Sequence, residues 1–309
     1  MGEESFQLST DHCAEIDEAT SDACHPERES PMPPLRDEEE WARALMESVL
    51  GVPVKQHDDG SLGGMHDLAI QYPDRPAAAV EVTAAADRAS VELWHLVNGA
   101  SERWIVPTLR GGWFVALEPW ARAARLKAEL PATLASLEAE GVTWPRWNRR
   151  RRPTGQSEFD QLQRLGVTHA SQGRTDFPGS IYLTIEQPQE RTGGIVDPTG
   201  AAVPTWVAEF LAEPQQADVL AKMRRSGASE CHVFVILPGF STAPFGVLDA
   251  LWRDMDEASM SSPHLPSEVT HVWLASTWEV GTGLRWSPDG CWQRFNRRPT
   301  RPGADAASA

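Results

Sequence analysis

His66-Asp67-Leu68-Ala69-Ile70-Gln71-Tyr72, then Pro73-Asp74-Arg75-Pro76, then Ala78-Ala79-Val80-Glu81-Val82-Thr83 is the stretch whose reading decides the fold. The first and third segments are β-branched and apolar enough for strands, and the proline-flanked tetrapeptide between them turns the chain back. Side chains alternate along a strand, so Val80 and Val82 point one way and Glu81 and Thr83 the other. Thirteen residues separate Asp67 from Glu81. Neighbouring antiparallel strands at that separation bring both carboxylates to one end of the same sheet face. A carboxylate between two valines in a short apolar strand requires a compensating partner.

Working outward, a helix is expected from Asp37, as N-cap, to a stop at Gly51, with Trp41, Ala44, Leu45 and Val49 on one face. A short strand, Val52 to His57, follows it, and Asp58-Asp59-Gly60 and Gly63-Gly64 supply turns. Further on, Trp104 to Pro107 and Trp113 to Leu117 read as a hairpin through Arg110-Gly111-Gly112. Pro119 to Glu140 and Glu158 to Leu165 read as helices, and Ser180 to Glu186 as a strand with Gly193 to Val196 returning beside it. Helices are expected at Thr205 to Leu211, Gln215 to Arg225 and Val247 to Met255. His232 to Leu237 is apolar almost throughout, as a strand covered on both faces must be. Val269 to Ala275 is a second buried strand, and Trp286 to Phe295 an edge hairpin. The fold class expected is α/β, one domain over residues 37–296, with a mixed central sheet flanked by helices and an insertion at about 104–210.

The ends read differently. Residues 1–40 hold thirteen acidic side chains against two arginines, so most of the formal charge of −16 is concentrated there. Residues 1–36 and 297–309 are too polar and proline-rich to offset their ordering entropy, and both are expected to be disordered. No run approaches the roughly 20 apolar residues of a membrane span, and the acidic N-terminus is unlike a secretory signal. The expectation is a cytoplasmic chain that does not enter membranes. Cys13, Cys24, Cys231 and Cys291 form no C-x-x-C pair, which speaks against a zinc ribbon or a thioredoxin-type site. His12-Cys13 and Cys24-His25 fall in the tail. No Gly-x-Ser-x-Gly elbow, Walker lysine loop or Gly-x-Gly-x-x-Gly follows a strand. Asp176 with Glu186 repeats the Asp…Glu spacing without a following lysine and is read as coincidence.

Two carboxylates a few ångströms apart repel, and must share protons or bind a cation. An oxygen-rich pair open to water suits Mg²⁺ or Mn²⁺, which retain several waters and can activate one of them. In element order (helix, three strands, later helix and strand) and in these residues, the chain resembles the PD-(D/E)XK, or restriction endonuclease-like, nuclease superfamily. His66-Asp67 stands where the family has Pro-Asp, and Glu81-Val82-Thr83 where it has Glu-x-Lys. The helix Gln215 to Arg225 and the strand His232 to Leu237 would complete that core. The resemblance implies a Mg²⁺-dependent nuclease acting on DNA or RNA, with Asp67 and Glu81 as metal ligands and catalytic residues. It departs from the family at Thr83, which is neutral and too short to replace a lysine. Lys55 and Lys222 are the candidate substitutes, His66 is a candidate general base, and Glu47 a candidate additional metal ligand. Trp144 to Arg152 joins arginines to tryptophans: Arg146, Arg149, Arg150, Arg151 and Arg152 match phosphate oxygens, and Trp147 can stack on a base. The competing expectation is a non-catalytic module, of this or an unrelated α/β fold, that binds nucleic acid or a protein partner.

Overall fold

The computed structural model describes residues 33–99, 104–143, 156–173, 177–278 and 281–296. The arginine–tryptophan run, Asp176, and the His12-Cys13 and Cys24-His25 pairs lie outside the described residues.

Helix α1 (Asp37–Leu50) begins one residue earlier than its sequence signal, because Arg36 rather than Asp37 is the N-cap. Glu39 reaches back to accept the Arg36 backbone N–H at 2.8 Å and its Nε–H at 2.6 Å. Both bonds run from Arg36 to Glu39, one half of a capping box, because a guanidinium has no lone pair with which to accept a helix-end N–H. Gly51 ends the helix in the left-handed conformation, φ 71°, donating its N–H to Glu47. Strands β1 (Val54–Gln56), β2 (Leu68–Ile70) and β3 (Ala78–Ala84) follow as an antiparallel meander.

These strands form one side of a seven-stranded mixed sheet ordered β1-β2-β3-β8-β9-β10-β11. Strand β8 (Cys231–Leu237) is buried at every position and runs parallel to β3 and to β9 (His271–Ser276). The antiparallel pair β10 (Thr282–Ser287) and β11 (Cys291–Asn296) closes the far edge, as its sequence suggested. The two faces carry separate cores. Helix α1 covers Val80, Val82, Phe234, Ile236 and Trp273. The opposite face, with Ala79, Val233, Val235 and Leu274, is covered by α6 (Ala202–Ala212), α7 (Ala217–Ser226) and α8 (Phe245–Trp252).

Between β3 and β8 the chain makes a second, four-stranded sheet, ordered β4-β7-β5-β6. Its strands are β4 (Trp104–Ile105), β5 (Trp113–Leu117), β6 (Val167–Gln172) and β7 (Ser180–Ile185). Its own core includes α2 (Arg88–Asn98) and α3 (Ala123–Ala139); the short α4 (Gln156–Arg164) packs against α3, and α5 is Gln189–Thr192. The expected hairpin between β4 and β5 is not formed. Strand β7 lies between them, antiparallel to β4 and parallel to β5. The Arg110-Gly111 link is instead held by Glu138, whose carboxylate accepts both backbone N–H groups, the Trp113 indole N–H and the Gln172 amide. Gly193 to Val196 forms no strand, and α6 joins the seven-stranded sheet's core. The insertion's own core therefore runs from α2 to β7 and stops well before residue 210.

Candidate functional site

Leu68 pairs with Val80 across β2 and β3. One step further in that register sets Asp67 opposite Glu81, both on the face covered by α7. Asp67 Oδ2 accepts the Val82 backbone N–H at 2.8 Å, which orients its carboxylate across β3. Both residues are buried, at 4% and 3% exposure. The cation that the Glu-x-Thr sequence lacks arrives from α7. Lys222 Nζ lies 2.6 Å from Glu81 Oε1 and 3.6 Å from Asp67 Oδ1. Val219 and Met223 anchor α7 in the core, and Lys222, three residues after the first and one before the second, is carried over β3 by the same packing.

The electrostatics follow from this geometry. Burial, reinforced by the Asp67 charge, pushes the Glu81 carboxyl up to about 8 against the opposing pull of Lys222. Burial also raises Asp67, opposed by the Val82 N–H and by Lys222. Burial works against the Lys222 ammonium, but the hydrogen bond and charge of Glu81 outweigh it and hold Lys222 protonated above its usual value. Glu81 Oε2 is buried and has no hydrogen-bond partner. An orphaned carboxylate oxygen is an expensive feature to retain. Together with Asp67 it makes an all-oxygen donor pair, which fits a hard divalent cation such as Mg²⁺ or Mn²⁺.

His66 is buried beside this pair and stacks on His57 with ring centroids 3.8 Å apart. Burial, then the His57 and Lys222 charges, lower it to about 4, so it is neutral at physiological pH. Lys55 opposes Ala69 on the same sheet face, but it is exposed on the edge strand, two strands from Glu81. Glu47 does not join the group. Its carboxylate takes the Arg43 guanidinium at 3.0 Å and the Val54 backbone N–H at 3.3 Å. The helix carboxylate whose field reaches Asp67 is Glu39, accompanied by Arg36. Sequence reasoning passed over Glu39 because it lies in a run of four acids; its i, i+3 spacing from the N-cap was the available signal.

Thr83, at the family's lysine position, donates to Gln216 Oε1 at 3.2 Å. Gln216 is itself buried, in the 3₁₀ turn Pro214–Gln216 that leads into α7. Nothing in the local sequence marked it, since its burial depends on α7 docking across β3. No family model, curated protein or solved structure matches the chain. Among the described residues no helix is long and apolar enough to cross a membrane.

Proposed function

We propose that this protein is a metal-dependent phosphodiesterase of nucleic acid, built on a divergent restriction endonuclease-like core in which Lys222 takes the role of the motif lysine. The observation that carries the reading is the convergence of Asp67 and Glu81 on Lys222, with Glu81 Oε1 taking the ammonium and Glu81 Oε2 left without a partner. The element order α1-β1-β2-β3, then α7-β8 with β8 parallel to β3, supports the core assignment. A cation bound to Asp67 and Glu81 would supply Lewis-acid activation and neutralise phosphate charge. The residues do the rest. Asp67, oriented by the Val82 N–H, and Glu81 in its ionised form would hold the cation. The Lys222 ammonium, which hydrogen-bonds Glu81 Oε1, would stabilise negative charge developing on phosphate. Neutral His66 is a candidate proton acceptor at the rim. The arginine run at 146–152 with Trp147 would hold the strand, a role that rests on sequence alone.

Titration calorimetry with Mn²⁺ and Mg²⁺ tests the site, comparing wild type with Glu81→Ala. Binding by wild type that disappears in the variant is the expected result. Cleavage of single- and double-stranded oligonucleotides in Mn²⁺, lost in Lys222→Met, tests the chemistry. Failure of the wild type to bind either ion removes the mechanism and leaves Glu81–Lys222 as a buried ion pair in a binding module.

A further inference from the structure

On the sheet face opposite Glu81, beyond the end of α1, the titratable side chains lining one cavity of about 320 Å³ include Tyr72, Arg75, Glu230, His232, His271 and Arg285. Buried polar networks of this size are costly, and around a cavity they mark binding sites. The Glu230, His232 and His271 ligand atoms lie within 4.8 Å of one another, a spacing that suggests a metal centre. The hydrogen bonds argue otherwise. The Trp273 indole N–H donates to His232 Nδ1 at 3.0 Å. Indole nitrogen can only donate, so Nδ1 carries the lone pair and Nε2 carries the proton. Nε2–H then donates to Glu230 Oε1 at 2.8 Å. A metal-bound histidine needs the reverse polarity, its second nitrogen donating to an acceptor. Glu230 is also filled, taking the Tyr72 hydroxyl at 2.6 Å and the Arg75 guanidinium at 2.5 Å.

The unused groups define what the cavity can take. Thr270 Oγ1 lies 3.0 Å from Cys231 O, 2.8 Å from Cys231 N and 2.8 Å from His271 Nδ1. All three contacts are favourable in one arrangement: the hydroxyl proton goes to Cys231 O, and the oxygen accepts from Cys231 N–H and from His271 Nδ1–H. The alternative, with the hydroxyl proton on His271 Nδ1, leaves Oγ1 and Cys231 O facing each other at 3.0 Å and only the Thr270 N–H on Cys231 O. The arrangement that uses all three contacts makes His271 Nε2 a lone-pair acceptor. Arg285 faces Trp273 across β9 and β10, and His271 is the next residue on that face. Its guanidinium lies over the Trp273 ring and gives Nε–H and Nη2–H to Gln293 Oε1. Among the described residues no carboxylate pairs with it, although it is half-buried. Asp289, on the exposed turn after β10, is the cavity's other acid.

We propose that this cavity binds a singly protonated phosphate group, free or as a small phosphomonoester, with its oxygens on Arg285 and its O–H donated to His271 Nε2. A fully ionised oxyanion satisfies only half of that pair. Phosphomonoesters, with a second pKa of about 6, keep the required proton near pH 6, whereas sulfate carries none. Calorimetry at pH 6 in phosphate-free buffer, with inorganic phosphate, glycerol phosphate and sulfate as probes, tests the proposal. Phosphate or its ester is expected to bind at least about tenfold more tightly than sulfate, since one charge-assisted hydrogen bond is worth about that factor. Tighter binding of the ester would identify a phosphorylated small molecule as the ligand, and binding of phosphate alone the free ion. Arg285→Gln, which keeps a hydrogen-bonding partner for Gln293, should weaken phosphate and sulfate alike by at least about tenfold. His271→Phe, which keeps the stack on His232, should abolish the preference for phosphate over sulfate. Absence of phosphate binding by the folded wild type, or equal affinity for sulfate, would overturn the proposal. So would a cobalt(II) absorption band lost in His271→Phe, which would establish a metal centre instead.

Discussion

Replacing Glu81 by glutamine isolates the electrostatic state of the carboxylate pair. The Glu81 carboxyl is 3% exposed and held at about 8, against an ordinary value of 4.5. Between those two pH values the native protein binds a proton that the unfolded chain releases. Stability must therefore fall as pH rises through this window, and that contribution is fully present only below about 4.5. The slope is about 1.4 kcal/mol per pH unit where one full proton is linked. Over the whole window the total is on the order of 5 kcal/mol. Glutamine does not titrate, and it can still face Lys222 with its carbonyl oxygen. The difference in unfolding free energy, Glu81→Gln minus wild type, should thus grow in favour of the variant by about 1 kcal/mol per pH unit between pH 5.5 and 7.5. Equilibrium urea unfolding at five pH values measures it. Repeating the series in excess Mn²⁺ should flatten the wild-type slope, because a bound cation displaces the proton. Parallel curves for the two proteins without metal would refute the reasoning, since they would mean that Glu81 is ionised throughout and fully compensated by Lys222.

Other perturbations probe the surrounding structure. Lys222→Met leaves Asp67 and Glu81 buried without a cation; stability should fall by about 3 kcal/mol at pH 9 and much less at pH 5, where the Glu81 carboxyl is protonated, as followed by urea unfolding. Glu138→Ala orphans two backbone N–H groups, the Trp113 indole and Gln172, with an expected loss of about 3 kcal/mol at pH 7. Burial opposes the Glu138 charge, but these four donors hold its carboxyl below the ordinary value, so its contribution is present above about 4.5 and is lost on acidification; mutant and wild-type unfolding curves should converge in acid. Gly283→Ala would set a Cβ 2.2 Å from Leu274 O and 2.3 Å from the Phe295 ring, and should destabilise the β9–β10–β11 edge by about 3 kcal/mol, visible as a lowered Tm.

Some elements were legible from one segment alone. Gly51 ended α1 and the unbroken apolar run marked β8, because left-handed glycine and two-sided burial are written into short stretches. The alternation of Val80, Glu81 and Val82, with a turn of the right length before it, was enough to allow Asp67 and Glu81 one end of the same sheet face; the register that sets them opposite each other came from the structure. Pairing between distant segments was not legible. Trp104 to Ile105 and Trp113 to Leu117 look like a hairpin, but β7, some sixty residues later in the chain, intervenes. Helix α2 escaped notice, and the burial of its Leu93 and Val97 comes from the second sheet's core.

The same division runs through the sites. Sequence alone determined that two carboxylates share a sheet face and that no lysine follows them on β3, because strand periodicity is a property of neighbouring residues. It named Lys222 only as one of two candidates. Tertiary structure selected it, and left Lys55 exposed and Glu47 tied to Arg43, because which cation meets a carboxylate depends on how α7 docks across β3. The cavity of Glu230, His232, His271 and Arg285 depends wholly on that level. His232, His271 and Arg285 come from three different strands, and the proton positions that define the cavity follow from the Trp273–His232 and Thr270–Cys231 hydrogen bonds, which form only once β8 and β9 are paired.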